Sequence, residues 1–275
     1  MMCALFRRPI SSWGNYNEFG GEILRILLTN DDGIGAAGIA ALWHELSKIA
    51  EVIVVAPDVE RSATSQSITV HSPIRVDNYF FDNPRICGWR IGGTPADCVK
   101  IGLEALMKQP PDIVVAGINH GPNLGTDVLY SGTVSAAIEG ALHGIPAVAV
   151  SLDVGEGKYD FQPAAEFTSK LVQNIVNRSL PPNTLLNVNV PALSSAQFKG
   201  VAITKLGVRQ YENVFEGRQD PRGRMYYWMG GNVMNTENDT DSDIVAIQMS
   251  KISVTPIHFD LTNYGIMNLV QSWNL

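Results

Sequence analysis

Clustered basic residues, paired cysteines and membrane-length apolar runs are all missing from this 275-residue chain. Its 20 Lys and Arg stand against 27 Asp and Glu, a net charge of −7, and the basic residues are scattered. Phosphate backbones demand a concentrated positive face, so long nucleic acid is excluded as a partner. Three cysteines, Cys3, Cys87 and Cys98, form no CxxC pair and no Cys/His cluster. Neither a disulfide framework nor a zinc site follows, and the usage fits a reducing cytosol, hence a cytoplasmic protein. The longest apolar run, around Gly144 to Leu152, is well short of the roughly 20 residues that span a bilayer, so no membrane partner is expected. With 45% hydrophobic and 17% charged residues, the chain has the balance of one soluble domain, or one domain with an elaborated arm.

What is present is a regular alternation of apolar runs and helical stretches from Ile23 onward. Ile23–Thr29, Val52–Ala56, Ile113–Ile118, Ala147–Leu152 and Leu185–Val190 read as strands. Their near-continuous Val, Ile and Ala are the mark of strands buried on both faces. Helices are predicted between them, over about 36–50, 95–107, 134–143 and 161–177; in the first, Ile39, Leu42, Leu46 and Ile49 share one face. The pattern predicts an α/β fold, a Rossmann-like and mostly parallel sheet with helices on both faces. Residues 1–22 are aperiodic and read as a loosely ordered extension, 23–199 as the catalytic core, and 200–275 as a partly β arm serving assembly with another copy. Within the arm, Val201–Leu206, Tyr226–Met229 and Ile252–Ile257 are the expected strands.

Ligands of open parallel sheets sit beyond the carboxyl ends of the strands. There this chain delivers Asn30-Asp31-Asp32-Gly33, then Pro57-Asp58 with a polar loop through Glu60, Arg61, Ser62, Thr64 and Ser65, then Asn119-His120-Gly121 followed by Asn123, then Ser151 and Asp153. Adjacent carboxylates raise each other's pKa unless a cation neutralises them. A hard divalent ion of the Mg²⁺ or Mn²⁺ type, held by Asp31 and Asp32 with oxygens of Ser62 and Asn119, answers that need. The bland alternative is an Asx turn with an aspartate as helix cap. Tyr130-Ser131-Gly132-Thr133 opens a helix of small residues, and amides at a helix start with two hydroxyls suit a phosphate. Plain capping by Ser131 or Thr133 is the competing reading. Asn119 and Asn123 join Ser131, Gly132 and Thr133 as expected phosphate contacts, while Asn30, Arg61 and His120 are candidates to touch substrate. Thr94 and Pro95 read as an ordinary helix start.

Gly33, Gly35 and Gly38 spell G-x-G-x-x-G after a strand, with Asp58 some twenty residues on, which matches the dinucleotide-binding fingerprint in spacing. Asp31 and Asp32 would repel a pyrophosphate there. An NAD(P)-binding oxidoreductase therefore stands as one alternative, and a non-catalytic nucleotide-binding module as another.

Several segments in order resemble the SurE family of survival proteins: 26–33, 56–69, 93–99, 117–125 and 130–137, then Ser253-Val254-Thr255-Pro256 and Asp260-Leu261-Thr262. The resemblance covers about 23–262. It implies a metal-dependent 5′-nucleotidase, a phosphoric monoester hydrolase acting on nucleoside monophosphates, with 3′-monophosphates and short polyphosphates as further candidates. The family's metal ligands fall on Asp31, Asp32, Ser62 and Asn119. Its fold carries a C-terminal extension exchanged between subunits of a dimer or tetramer. Either Asp31 or Asp32 would then act as the catalytic base.

Overall fold

The computed structural model describes residues 24–83, 86–155, 159–234 and 238–273, so the expected 1–22 extension lies outside the described residues. In chain order the strands are β1 (Arg25–Thr29), β2 (Glu51–Pro57), β3 (Val76–Tyr79), β4 (Ile86–Ile91), β5 (Ile113–His120), β6 (Ala147–Asp153), β7 (Thr184–Pro191), β8 (Val201–Ile203), β9 (Tyr211–Glu212), β10 (Phe215–Gln219), β11 (Met225–Met229), β12 (Asn232–Val233) and β13 (Ile252–His258). The helices are α1 (Ala37–Leu46), α2 (Pro95–Ile101), α3 (Gly132–Leu142), α4 (Gln162–Arg178), α5 (Asp243–Gln248) and α6 (Met267–Gln271).

Nine strands form one sheet in the order β3-β4-β2-β1-β5-β6-β7-β13-β8. The run from β4 to β7 is parallel throughout. Side chains alternate across it. Ile26, Leu28, Val52 and Val54 pack on one face with Ile39, Leu42 and Leu46 of α1 and Ala164, Ala165, Val172 and Ile175 of α4. Leu27, Ile53 and Val55 pack on the other with Cys98 and Val99 of α2 and Val134, Ala136, Ala137 and Ala141 of α3. Each fully buried aliphatic side chain contributes about 1.5–3 kcal/mol, so the unbroken apolar runs are the direct consequence of a sheet covered on both sides.

Three features depart from the sequence expectation. The helix expected to 107 is α-helical only to Ile101 and continues as a wide turn over Gly102–Leu106. Thr94 caps α2 as expected, its hydroxyl accepting from Asp97 N at 3.1 Å while Asp97 accepts Thr94 N at 2.9 Å. Strands β3 and β4 lie where no element was expected. Beyond residue 200 the chain divides: β8 and β13 extend the central sheet, with β13 antiparallel to β7, whereas the β10–β11 hairpin stands off it with every residue exposed.

The chain runs outward from β1 in both directions, through α1 to β2 on one side and through β5 to β6 and β7 on the other. The crevice between the carboxyl ends of β1 and β5 is therefore the switch point at which such sheets hold ligands.

Candidate active site

A cavity of about 550 Å³ opens at that switch point, lined among others by Asp31, Asp32, Ser62, Asn119, His120, Asn123, Ser131 and Gly132. Strand β1 ends in Thr29 and is followed by Asn30, both fully buried; Asn30 Nδ2 donates to Gly33 O at 2.8 Å and so closes the turn that presents the two aspartates. Asp31 is 6% exposed. Its Oδ1 accepts the Thr133 hydroxyl at 2.5 Å, and its carbonyl accepts Arg61 N at 2.7 Å. Asp32 Oδ2 accepts the backbone N–H of His120 at 3.1 Å. The start of α3 meets Asp31 closely because residue 132 is glycine: a Cβ there would lie 2.9 Å from Asp31 Cβ and 3.0 Å from its Oδ2.

Burial pushes Asp31 up to about 6, against the opposing Thr133 hydrogen bond and with a further push from Asp32. Burial also raises Asp32, opposed by the His120 N–H. Among the described residues neither carboxylate has an ion-pair partner. Two acids held near one another without a counter-charge are a receptor for a cation. No cluster of three or more His, Cys, Asp and Glu suited to a metal occurs among the described residues, so a cation here needs neutral oxygens as well. Asn119 anchors its Nδ2 on Gly121 O at 2.8 Å, and the Ser62 hydroxyl donates to Glu60 Oε1 at 2.5 Å. The Asn119 carbonyl oxygen and the Ser62 lone pairs remain to be offered, and an all-oxygen set of this kind fits a hard divalent ion.

Two helices begin on the cavity. Ser131 caps α3, its Oγ accepting Val134 N at 3.1 Å, and Ser131 and Gly132 line the wall. Ala36, Ala37 and Gly38 line it too, and α1 starts without any side-chain cap. Its first amides are therefore available to an anion. Gly38 belongs to the G-x-G-x-x-G spacing, but its role is packing: a Cβ there would stand 2.0 Å from Ile118 O, whereas Gly35 has open space around it. Gly33, at φ +98°, serves the turn.

Some expected site residues support the wall without lining it. Thr133 is fully buried with its hydroxyl committed to Asp31, Asn30 closes its turn, and Arg61 pairs with Asp58 at 3.1 Å. Asn123 lines the cavity and also fixes its loop. Its N–H donates to Asn189 Oδ1 at 2.8 Å, its Nδ2 to Ser151 Oγ at 2.7 Å, and its carbonyl accepts from both Asn187 and Asn189 at 2.9 Å.

Sequence reasoning missed Asp127, Tyr159 and Phe161, all of which line the cavity. Asp127 accepts Arg209 at 2.9 Å and the Tyr211 hydroxyl, while buried Asp243 accepts Gly125 N and Gly207 N at 2.8 Å each. The segment beyond residue 200 thus braces one side of the site. No local signal in the sequence marks these residues.

Fold and site together define a Rossmann-like α/β protein whose switch point carries an unpaired carboxylate pair opposite two helix starts. Comparison with known proteins makes this specific. The family described as survival protein SurE matches residues 26–213. The chain is 55% identical over 250 residues to "5'-nucleotidase SurE" of Heliobacterium modesticaldum, covering 91% of this chain and 92% of that protein. It is 52% identical over 257 residues to the protein of that name from Carboxydothermus hydrogenoformans, covering 91% and 96%. The crystal structure of the SurE protein from Aquifex aeolicus superposes with a TM-score of 0.79 at 37% identity, covering 91% of this chain and all of that one. The chain belongs to the SurE family.

Proposed function

We propose that this protein is a divalent-metal-dependent 5′-nucleotidase that hydrolyses nucleoside 5′-monophosphates to nucleoside and phosphate. The observation that carries the reading is the cavity in which Asp31 and Asp32, without an ion-pair partner among the described residues, face the start of α3. The names of the relatives agree with it. Asp31, Asp32, Ser62 and Asn119 are the residues to hold Mg²⁺ or Mn²⁺. Such an ion, when bound, supplies positive charge to the phosphoryl group and acidifies water beside it. The chain's own groups do the rest. The amides at the Ser131–Gly132 helix start hold phosphate oxygens as charge redistributes. Asp31 or Asp32 accepts the proton of the attacking water, and Thr133 and the His120 N–H keep the two carboxylates in place.

The exposed β10–β11 hairpin, with Phe215 63%, Tyr227 64%, Trp228 61% and Met229 73% exposed, supports assembly as a homodimer or homotetramer, since apolar patches of this kind are covered in oligomers. No helix among the described residues is long and apolar enough to cross a membrane. Cysteine usage, with Cys98 a buried thiol, supports a cytoplasmic location.

The test is phosphate release from nucleoside 5′- and 3′-monophosphates and short polyphosphate by metal-stripped protein, with and without added Mg²⁺ or Mn²⁺. Release that requires the metal and is lost in Asp32→Ala is expected. Metal-independent release, or an active Asp32→Ala protein, overturns the reading.

A further inference from the structure

Three rings run in a row along the cavity wall and have no part in holding a phosphate. The first is His120, whose backbone N–H is bound to Asp32 at 3.1 Å. The Tyr159 ring lies 5.0 Å from it, centroid to centroid, tilted by 59°. Phe161 lies 5.5 Å beyond Tyr159 in an edge-to-face arrangement at 77°. Phe161 is only 8% exposed and packs into the main core, so it is a fixed backing. Tyr159 is 44% exposed although it lines the cavity. An aromatic held in place from behind, with open ring surface toward a ligand site, is a stacking surface.

We infer that Tyr159, backed by Phe161 and flanked by His120, is the platform on which the nucleobase of the substrate stacks, and that it sets the preference for nucleotides over phosphate esters without a base. The inference rests on the nucleotidase reading. With the phosphate at Asp31, Asp32 and the start of α3, the base of a nucleoside monophosphate projects one ribose away from Asp32, and the row of rings also begins beside Asp32. Every nucleobase has a π-face, so a platform of this kind binds purines and pyrimidines alike, purines more strongly through their larger rings. Tyr159 is thus a specificity determinant, separate from the groups that act on phosphorus.

The experiment compares AMP, UMP and ribose 5-phosphate as substrates of the wild-type protein, Tyr159→Ala and Tyr159→Phe, with calorimetric titration of AMP and ribose 5-phosphate alongside. In Tyr159→Ala the ratio of kcat/KM for AMP to that for ribose 5-phosphate falls by about 5- to 150-fold, the effect of one lost stacking partner. The fall lies in KM for AMP, is smaller for UMP, and is rescued by Tyr159→Phe. An unchanged ratio overturns the inference, as does an equal loss on both esters. If the wild-type protein cleaves no ester at all, the nucleotidase reading fails by itself. The titrations then decide the platform: it stands if AMP binds more tightly than ribose 5-phosphate and Tyr159→Ala abolishes the difference, and falls otherwise.

Discussion

Replacing Asp31 by Asn should stabilise the metal-free protein while disabling it. The two side chains are nearly isosteric, and the Asn carbonyl oxygen can still accept the Thr133 hydroxyl that now reaches Asp31 at 2.5 Å. What disappears is a buried charge. In the folded chain the carboxyl is pushed from 3.8 up to about 6, so folding favours the protonated acid. The stability this confers is fully present below about pH 3.8 and is lost as pH rises through about 6. At pH 8 the ionised, buried carboxylate costs the fold about 3 kcal/mol, the equivalent of that shift. The Asn amide carries a burial cost of its own, which leaves a net gain of about 2 kcal/mol, or roughly 5 °C in Tm for a domain of this size. Scanning calorimetry in EDTA measures it: Asp31→Asn melts higher than wild type at pH 8, and the gap shrinks to roughly a third at pH 5, where most folded wild-type molecules carry the proton. Added Mg²⁺ or Mn²⁺ raises the wild-type Tm and leaves the variant unmoved. A variant less stable than wild type at pH 8 without metal, or a gap independent of pH, refutes the account of Asp31 as a charge buried for a cation.

Gly132→Ala places a methyl 2.9 Å from Asp31 Cβ, which should lower stability by about 1–3 kcal/mol in urea titrations and turnover by about 100-fold or more through displacement of the carboxylate; a fully active variant contradicts the close approach. The glycines of the G-x-G-x-x-G run should behave oppositely. Gly38→Ala meets Ile118 O at 2.0 Å and should destabilise by about 2 kcal/mol or more, while Gly35→Ala meets nothing within 4 Å and should be neutral within about 0.5 kcal/mol. Equal effects at the two positions would dismiss the packing explanation.

The strands that the sequence announces are those whose two faces are both covered. β1, β2, β5, β6 and β7 carry apolar runs because α1 and α4 lie on one side and α2 and α3 on the other. β4, Ile86-Cys-Gly-Trp-Arg-Ile, hides because Gly88 and Arg90 break the run; the glycine is there because a Cβ would meet the Phe81 ring at 2.3 Å. The site was legible where chemistry is local: the Asp31-Asp32 pair and the Ser131-Gly132-Thr133 helix start occupy consecutive positions at predicted strand and helix ends. Which hydroxyl serves which purpose was not legible. Thr133 faces Asp31 because α3 packs on β5 and β6, the strands next to β1 on that side of the sheet, a tertiary fact that no spacing within 130–137 encodes. Asp127, Tyr159 and Phe161 reach the cavity from a 3₁₀ turn and the lead-in to α4, and only the folded chain brings them together.

Strand β13 sits inside the sheet, between β7 and β8, although it is drawn from near the end of the chain. During synthesis β7 is complete once residue 191 has emerged, yet its antiparallel neighbour arrives only with 252–258. Until then β7 is an open edge, buried residues Leu185, Val188 and Val190 included, and an unpaired edge is the surface on which nascent chains mispair. Asp243, which braces the Gly125 turn at the site, arrives on the same late segment. Closure of the sheet and bracing of the active site are therefore one event in time, so a chain cut short before residue 243 exposes a sticky edge and an unbraced site together.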